Sequence, residues 1–448
     1  MSTAPSVLCP PAPSPAPGGR WVAASLTGLP LLFAFVAFGQ LALVEGAAPT
    51  PARFAAPLAL TICTLGSTWL LRRQLPGHDR VLLPLITLLI SWGLAEVARL
   101  APPVFLQRQT LWMVLGSGAL LAAALVPQGL RWLERFRYTW LLIGLLLLGM
   151  TFFLGVNPSG AGARLWLGAG GIYFQPSELL KLLMIVFLAS YLAQRRSALL
   201  EVNLQLHRWR IPHPAYWGPL LLMWGFSMLL LLWQRDLGAG LLFFGVFLAM
   251  FYVAMGQGRY VLASLVLLIG AGALGYHVFD VVALRVDAWL NPWREASGRS
   301  FQIVQALLAF ASGGVFGQGL GQGLPGAIPV VHTDFVFAAV GEEYGLLGTL
   351  GLVAAFMLLV ARAFRIALCC RRTFEQLLAV GIGTLFGLQS LVIMAGTLKL
   401  IPLTGVTLPF VSYGGSSLLI SMTMVGLLVR LSAHASAVRR AMPGGSAP

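Results

Sequence analysis

Long apolar runs, separated by short polar segments, make up most of this chain. A helix needs about 20 apolar residues to cross a bilayer, and runs close to this length recur twelve times. They cover residues 21–43, 54–71, 81–98, 109–126, 138–155, 174–193, 215–233, 237–255, 260–282, 335–360, 375–396 and 408–430. This pattern predicts an all-α, polytopic membrane protein with about twelve transmembrane helices, because helices satisfy every backbone polar group internally.

The gap between the ninth and tenth runs is the longest, and it predicts one large loop over residues 283–334. Residues 301–310 within it indicate a helix too short to span, which lies in the interface or re-enters. The glycine-rich residues 313–326 permit a close approach of the backbone to a ligand. They form no P-loop, because the lysine is missing and no strand precedes them.

Composition agrees with a membrane protein and divides the chain into four parts. Of its 448 residues 58% are hydrophobic and only 10% are charged, whereas soluble domains carry about 25% charged residues. Residues 1–19, rich in Pro, Ser, Ala and Gly, indicate a disordered cytoplasmic tail. Two N-terminal spans follow within 20–80, then a transmembrane core over 81–430 and a cytoplasmic C-terminal tail over 431–448. The four cysteines show neither a disulfide nor a metal-binding pattern.

The net charge of +15 is explained by membrane topology, so no nucleic-acid partner is expected. Arg and Lys concentrate in cytoplasmic loops of membrane proteins. Placing the N-terminus in the cytoplasm puts nineteen of the 29 basic residues in cytoplasmic segments and nine on the opposite side. The sequence therefore predicts a multi-pass membrane protein, with both termini cytoplasmic and the 283–334 loop extracytoplasmic.

Charged residues inside apolar runs are candidates for function, because each costs about 2.5–3.5 kcal/mol on insertion scales. Glu178 and Lys181 are three residues apart on one predicted helix and are therefore neighbours. They form either a self-neutralising pair or a site where Lys181 meets an anion together with Arg164. Asp236 directly precedes an apolar run, a position that favours a helix N-cap.

A second group of candidates lies around Asp334, where the large loop meets the tenth run. Asp334 is either the N-cap of that helix or a reactive carboxylate. The second interpretation is favoured by Arg285 and Gln302 in the same loop. Glu342 and Glu343 lie at least about 12 Å deeper along the helix, at 1.5 Å per residue. We expect them to be structural partners of buried cations.

The third candidate region, residues 399–417, contains prolines and glycines that interrupt a helix. Broken backbone at membrane depth must line protein or water. Lys399, with the hydroxyls of Ser412 and Ser416, suits an anion such as phosphate. The alternative is a seam of small residues for helix packing.

Three motifs make the chain resemble a known family. They are QPSE with a lysine three residues after the Glu, HTDFVFAAVGEEYGLLG, and PLTGVTLPFVSYGGSS. Together they resemble the SEDS proteins of shape, elongation, division and sporulation, which include RodA, FtsW and SpoVE. The resemblance implies a ten-helix core, to which this chain adds two N-terminal spans.

The resemblance also implies a place in the bacterial cytoplasmic membrane, an activity and partners. It implies a glycosyltransferase that polymerises lipid II into peptidoglycan outside the membrane, releases undecaprenyl pyrophosphate and works with a class B penicillin-binding protein. It makes Asp334 the essential aspartate, and it matches Arg164, Glu178 and Lys181 to family motifs. Arg235 and Val330 depart from the family's usual proline and glutamate.

These residues suggest a single displacement that inverts the anomeric centre. Asp334 would act as a general base, while Arg164, Lys181, Arg285 and Lys399 would stabilise the departing diphosphate. We expect no dedicated metal site. Whether the reaction uses a divalent cation, Mg²⁺ or Mn²⁺, bridged by the diphosphate is left open by the sequence. The rival functions are a flippase for a lipid-linked precursor and a non-catalytic scaffold.

Overall fold

Helices provide nearly all the regular structure. The computed structural model describes residues 19–46, 51–126, 130–157, 164–201, 203–206, 209–212 and 214–440. The α-helices are α1 (Gly19–Val44), α2 (Ala55–Gln74), α3 (Leu82–Leu100), α4 (Pro103–Leu125), α5 (Arg131–Arg135), α6 (Arg137–Leu154), α7 (Pro176–Glu201), α8 (Pro214–Trp233), α9 (Leu237–Met255), α10 (Gly258–Val278), α11 (Asp280–Leu290), α12 (Phe301–Gly313), α13 (Val331–Asp334), α14 (Val336–Cys369), α15 (Thr373–Thr397) and α16 (Gly415–Arg440). Twelve of them coincide with the predicted spans, which confirms the all-α class.

Membrane-spanning character is clearest for part of this set. Among the described residues, nine helices are long and apolar enough to cross a membrane. Helices α2 and α4 are not among the nine, and α8 qualifies only as a shorter apolar helix, Trp217–Trp233. The multi-pass architecture is therefore confirmed, and the number of twelve spans stays a prediction.

One predicted boundary needs correction, and the two predicted tails can be compared with the structure only in part. The last span begins at Gly415 instead of residue 408, because Pro402 and Pro409 lie in non-helical chain that precedes it. Helix α16 continues to Arg440, so residues 431–440 of the predicted tail are helical. The predicted N-terminal tail falls on residues 1–18, which are outside the described part.

Two small antiparallel hairpins were not predicted. Strand β1 (Leu167–Ala169) pairs with β2 (Ile172–Phe174), and β3 (Asn203–Leu206) pairs with β4 (Trp209–Pro212). In the first hairpin Leu167 lies opposite Phe174. Strands of three or four residues are too short for the sequence pattern to reveal.

The chain divides into two compact units. Unit 1 contains residues 1–125, 270–362 and 389–448, and unit 2 contains residues 126–269 and 363–388. In unit 1, α4 packs against α16, α1 against α3 and α2 against α4. In unit 2, α7 packs against α6, α8 and α9, and most of its side chains from 180 to 192 are buried.

Helix α14 is broken inside unit 1, and the glycine segment (residues 313–323) fills the break. Gly345 adopts φ 66°, ψ −162°, which prevents the usual bonds from residues 346 and 347 back to residues 342 and 343. Four backbone bonds to the glycine segment occupy these groups instead: Gln318 N to Glu342 O at 2.9 Å, Gly319 N to Glu343 O at 2.9 Å, Leu346 N to Gly314 O at 2.9 Å and Leu347 N to Val315 O at 3.2 Å.

The glycines permit this contact because no side chain separates the two backbones. A Cβ on Gly317 would lie 2.2 Å from the carbonyl oxygen of Glu343, and one on Gly313 would lie 2.0 Å from that of Gly341. The close approach expected from the glycine-rich run is therefore an approach to helix α14 within the protein.

Candidate active site

A small apolar cluster supports the turn that carries Asp334. It joins α11, α12, the chain before α13 and the start of α14. Its buried members are Ala288, Ile303, Ala306, Ala309, Ile328, Val331, Phe335, Ala338 and Ala339. Five alanines allow close helix approach, and the large Phe335 ring, 1% exposed, fixes the turn directly beside Asp334.

Asp334 is not the N-cap of the helix that follows it. It is the last residue of α13, and α14 begins at Val336, so Phe335 holds the capping position. The capping interpretation is therefore wrong, because the short helix α13 intervenes. The Asp334 side chain is half-buried and does not serve to start α14.

Arg285 and Asp334 flank the backbone of Gly405. A Cβ built on Gly405 would lie 3.6 Å from Arg285 Nη2 and 3.7 Å from Asp334 Oδ2. Arg285 is held there because its Nη1 donates to the Thr404 carbonyl at 3.1 Å. Gly405 has φ +72°, a conformation that strongly favours glycine. The loop thus brings a cation and a carboxylate together beside bare backbone.

The surroundings of Asp334 suit a carboxylate that exchanges a proton near neutral pH. Burial raises the pKa of Asp334 to about 6, while the neighbouring Thr333 hydroxyl and the Arg285 charge act in the opposite direction. A base works best when its pKa lies near the operating pH. At pH 7 most Asp334 side chains are ionised and can accept a proton.

His332 lies in an aromatic group next to this carboxylate. Its ring centroid lies 5.4 Å from that of Phe105 and 5.8 Å from that of Tyr413. Burial lowers the pKa of His332, so its imidazole is neutral at pH 7. Its carbonyl accepts the Tyr413 N–H at 2.8 Å, which ties the Asp334 turn to the loop before α16.

Helix α11 places two side chains on the 399–405 loop. Arg285 and Trp289 lie four residues apart and so share one helix face. Trp289 Nε1 donates to the Lys399 carbonyl at 3.1 Å, while Arg285 reaches Thr404. Lys399 has φ +60°, a strained conformation for a residue other than glycine. The loop that carries Lys399 is thus held by α11.

The predicted hydroxyl and amide ligands have structural contacts in unit 1. The Ser412 hydroxyl donates to the Thr333 carbonyl at 2.5 Å and accepts from Leu408 N at 3.0 Å. Ser416 is buried at the start of α16. Gln302 Nε2 donates to the Pro329 carbonyl at 3.2 Å. Their part in substrate binding stays a prediction, and in the structure Ser412 and Gln302 hold the chain around Asp334.

Unit 2 contains the second predicted group of charges. Lys181 Nζ lies 2.8 Å from Glu178 Oε2, and both side chains are buried. Asp236 accepts the Ala239 N–H at 3.1 Å, which confirms the predicted N-cap of α9, and it accepts the Ser177 hydroxyl at 3.3 Å. Burial raises the pKa of Asp236. The Glu178–Lys181 pair is confirmed, whereas Arg164 is exposed.

Sequence reasoning missed Arg99, which links three parts of unit 1. Its Nε donates to Glu343 Oε1 at 3.1 Å, and its Nη2 donates to the carbonyls of Gly321 and Gly323 at 3.3 and 3.1 Å. Glu343 thus pairs with a partly buried cation, as predicted. Glu342 instead accepts the backbone N–H of Leu324 at 2.8 Å. Arg99 stands at the end of an apolar run, but nothing in the sequence indicates its partner.

No resident metal site is evident in the part of the chain that the structure describes. Within those residues, no group of three or more His, Cys, Asp or Glu side chains could hold a metal ion. Divalent cations are commonly bound by carboxylates together with substrate phosphates, and that arrangement needs no cage of protein ligands.

Comparisons with known proteins agree on one family. A family of cell cycle proteins named for FtsW, RodA and SpoVE matches residues 80–437. The chain is 34% identical to the peptidoglycan glycosyltransferase RodA of Mycobacterium tuberculosis, over 84% of this chain and 83% of that protein. It is 35% identical to the probable peptidoglycan glycosyltransferase FtsW of Geobacter sulfurreducens, over 80% and 96%.

Solved structures show the same fold. One similar chain belongs to a peptidoglycan synthase complex that was studied for its structural coordination of polymerization and crosslinking. The two chains superpose with a TM-score of 0.66 at 28% sequence identity, over 80% of this chain and 98% of that one. The rod shape determining protein RodA of Thermus thermophilus gives a TM-score of 0.58 at 28% identity, over 80% and 97%.

Proposed function

The chain belongs to the FtsW, RodA and SpoVE family of cell cycle proteins, and from this membership we propose that it is a peptidoglycan glycosyltransferase. Its substrate is lipid II, which it polymerises into glycan strands with release of undecaprenyl pyrophosphate. The reaction serves cell elongation or division. Because the donor sugar already carries a diphosphate, the transfer needs no ATP.

The observation that supports this function most directly is the pairing of Asp334 and Arg285 across Gly405. The Asp334 carboxylate accepts the proton of the acceptor hydroxyl as its oxygen forms a bond to the anomeric carbon of the donor. The bond from that carbon to the diphosphate breaks, and the diphosphate leaves with the electron pair. One displacement inverts the centre, and general-base help typically contributes about 10²–10⁴-fold.

The cations have the complementary task of stabilising the leaving diphosphate. Lys399 lies in the same loop of unit 1 as Gly405, and Arg285 of α11 donates to the Thr404 carbonyl of that loop, so these two cations are the first candidates. Arg164 and Lys181 of unit 2 are further candidates, on the family resemblance. Preorganised positive charge stabilises charge that develops in the transition state. Mg²⁺ or Mn²⁺, if required, would come with the diphosphate.

The protein lies in the bacterial cytoplasmic membrane, with both termini in the cytoplasm and Asp334 at the outer face. The excess of Arg and Lys in the segments assigned to the cytoplasm supports this orientation. A class B penicillin-binding protein is the proposed partner that cross-links the product. The similarity to a chain of a peptidoglycan synthase complex supports such an assembly.

The proposal is tested by measuring lipid II polymerisation with the purified protein, alone and with its partner. The assay compares the wild type with Asp334→Asn. Asparagine keeps the size of the side chain but cannot act as the base, so we expect glycan from the wild type and none from a folded variant. Normal polymerisation by Asp334→Asn would show that Asp334 is not the general base. Transport of labelled lipid II by a wild type that makes no glycan would identify a flippase instead.

A further inference from the structure

The N-terminal hairpin, α1 and α2, lies before the family match, which begins at residue 80. Its two helices pack on α3 and α4 of unit 1. The contacts with α3 include polar groups: the Ser91 hydroxyl donates to the Pro30 carbonyl at 3.0 Å, and the hydroxyls of Thr64 and Thr87 lie 3.3 Å apart. The hairpin is therefore attached to the core through specific contacts.

The last turns of α1 contact the glycine segment directly. A Cβ on Gly321 would lie 3.2 Å from Val44 Cγ1 and 3.5 Å from Leu41 Cδ2. Leu41 is only 5% exposed, and Gln40 Nε2 lies 3.4 Å from the Leu320 carbonyl. The apolar contact is the stronger of the two, because a hydrogen bond of 3.4 Å is long.

Behind this contact, the glycine segment is bonded to α14 on both sides of the break, through Glu342 and Glu343 in its first half and Leu346 and Leu347 in its second. It supplies the four backbone bonds at the Gly345 break, and Arg99 adds two more contacts to its carbonyls. The first half of α14 is short, running from Val336 to the break, and Asp334 lies two residues before it. Asp334 therefore stands at the outer end of a helical segment whose inner end is held by the glycine segment.

We propose that the N-terminal hairpin positions Asp334 from a distance. Helix α1 holds the glycine segment through Leu41, and the glycine segment holds the part of α14 that leads back to Asp334. Leu41 is thus a positioning residue that touches neither substrate nor the reacting atoms. The kinetic part of this proposal rests on the proposed glycosyltransferase function.

Truncation of Leu41 tests the proposal, with Leu43→Ala as the matched control. Leu43 lies on the same turn of α1 but is 83% exposed. Leu41→Ala should lower kcat for lipid II polymerisation about tenfold and leave KM within about twofold, because small displacements of a catalytic group reduce turnover strongly. Leu43→Ala should change neither value.

Hydrogen exchange supplies a readout that does not depend on activity. In Leu41→Ala, the backbone amides of Gln318 and Gly319 should exchange at least about tenfold faster, because their bonds to α14 open more often. Unchanged exchange in Leu41→Ala would overturn the proposal. If the wild type makes no glycan, the glycosyltransferase function fails, while the exchange result still decides whether α1 holds the glycine segment.

A reversible disulfide separates positioning from a general loss of stability. The Val44 Cβ lies 3.4 Å from the Cβ position on Gly321, close to the mean of about 3.8 Å in disulfides. In the Leu41→Ala background, Val44→Cys with Gly321→Cys should have a higher kcat when oxidised than when reduced. The strain of a side chain at Gly321, which has φ +84°, is present in both forms and so does not affect this comparison. Each single cysteine variant reports the cost of its own substitution. An oxidised form no faster than the reduced one, despite a formed disulfide, would contradict positioning by α1.

Discussion

Replacing Arg285 with methionine should raise the pH at which the enzyme gains activity. The Arg285 charge opposes the effect of burial on Asp334 and so helps to keep the pKa of that carboxyl near 6. Methionine retains much of the side-chain length and removes the charge. Without the cation the ionised base becomes less favourable, so a higher pH is needed to form it.

The structure sets the size of this effect. Arg285 Nη2 and Asp334 Oδ2 lie 3.6 and 3.7 Å from one point beside Gly405, so the two atoms are separated by about 7 Å at most. Their attraction is then at least about 0.6 kcal/mol in water-like surroundings and about 2.4 kcal/mol at an effective dielectric constant of about 20. With about 1.4 kcal/mol per pH unit, the midpoint should rise by about 0.4 to 1.7 units. The half-buried position of Asp334 favours the lower part of this range.

The assay is kcat/KM for lipid II polymerisation between about pH 4.5 and 8.5, because this ratio reports the pKa of the free enzyme's base. A loss of phosphate stabilisation lowers the rate at every pH and leaves the midpoint unchanged, so the two roles of Arg285 can be separated. Arg285→Lys should keep the wild-type midpoint, as should Arg294→Met, which alters an exposed arginine of the same loop. An unchanged or lower midpoint in Arg285→Met would refute the electrostatic link to Asp334.

Two further substitutions test the supporting structure. Gly345→Ala should destabilise the protein by about 3 kcal/mol or more in thermal unfolding, because Gly345 has φ +66° and the new Cβ would lie 2.3 Å from a backbone nitrogen of the glycine segment. The control is Gly351→Ala, which should be neutral or stabilising in the same assay because the nearest atom to its Cβ is 3.9 Å away. Lys181→Met should lower the free energy of unfolding by about 3–5 kcal/mol, because it leaves the buried Glu178 carboxylate unpaired. Adding Glu178→Gln should restore the unfolding temperature. A double variant as unstable as the single one would show that the ion pair is not the cause.

Much of the fold could be predicted because a membrane imposes a simple rule. Apolar runs of spanning length become helices, and the helices of the structure follow those runs. The start of α9 was also predictable, since Asp236 has the local chemistry of an N-cap. The same local argument failed at Asp334, where the intervening helix α13 depends on packing of Phe335 against α11 and α12. That packing joins residues far apart in sequence, which no local pattern reveals.

The break in α14 shows why the site could be only partly predicted. The apolar run across residues 335–360 indicated one continuous span, and Gly345 alone is a weak signal because glycine is common in transmembrane helices. The break is stable because the glycine segment supplies partners for the freed backbone groups. Those partners lie some thirty residues earlier, in a run whose glycines suggested a ligand. The sequence therefore identified the glycine run and the apolar run as separate features, but it did not show that they contact each other.

The three acids of the motif that contains Asp334 show how environment assigns different tasks to similar groups. Glu343 is paired with Arg99, and Glu342 accepts a backbone N–H from Leu324, so both carboxylates are committed to holding the glycine segment. Asp334 lies on a short turn, half-buried, with Arg285 across the bare backbone of Gly405. A carboxylate that holds structure must stay bonded, whereas a base must bind and release a proton near neutral pH. Of the three, Asp334 has the surroundings that allow this exchange, and the two glutamates help to keep its supporting helix in place.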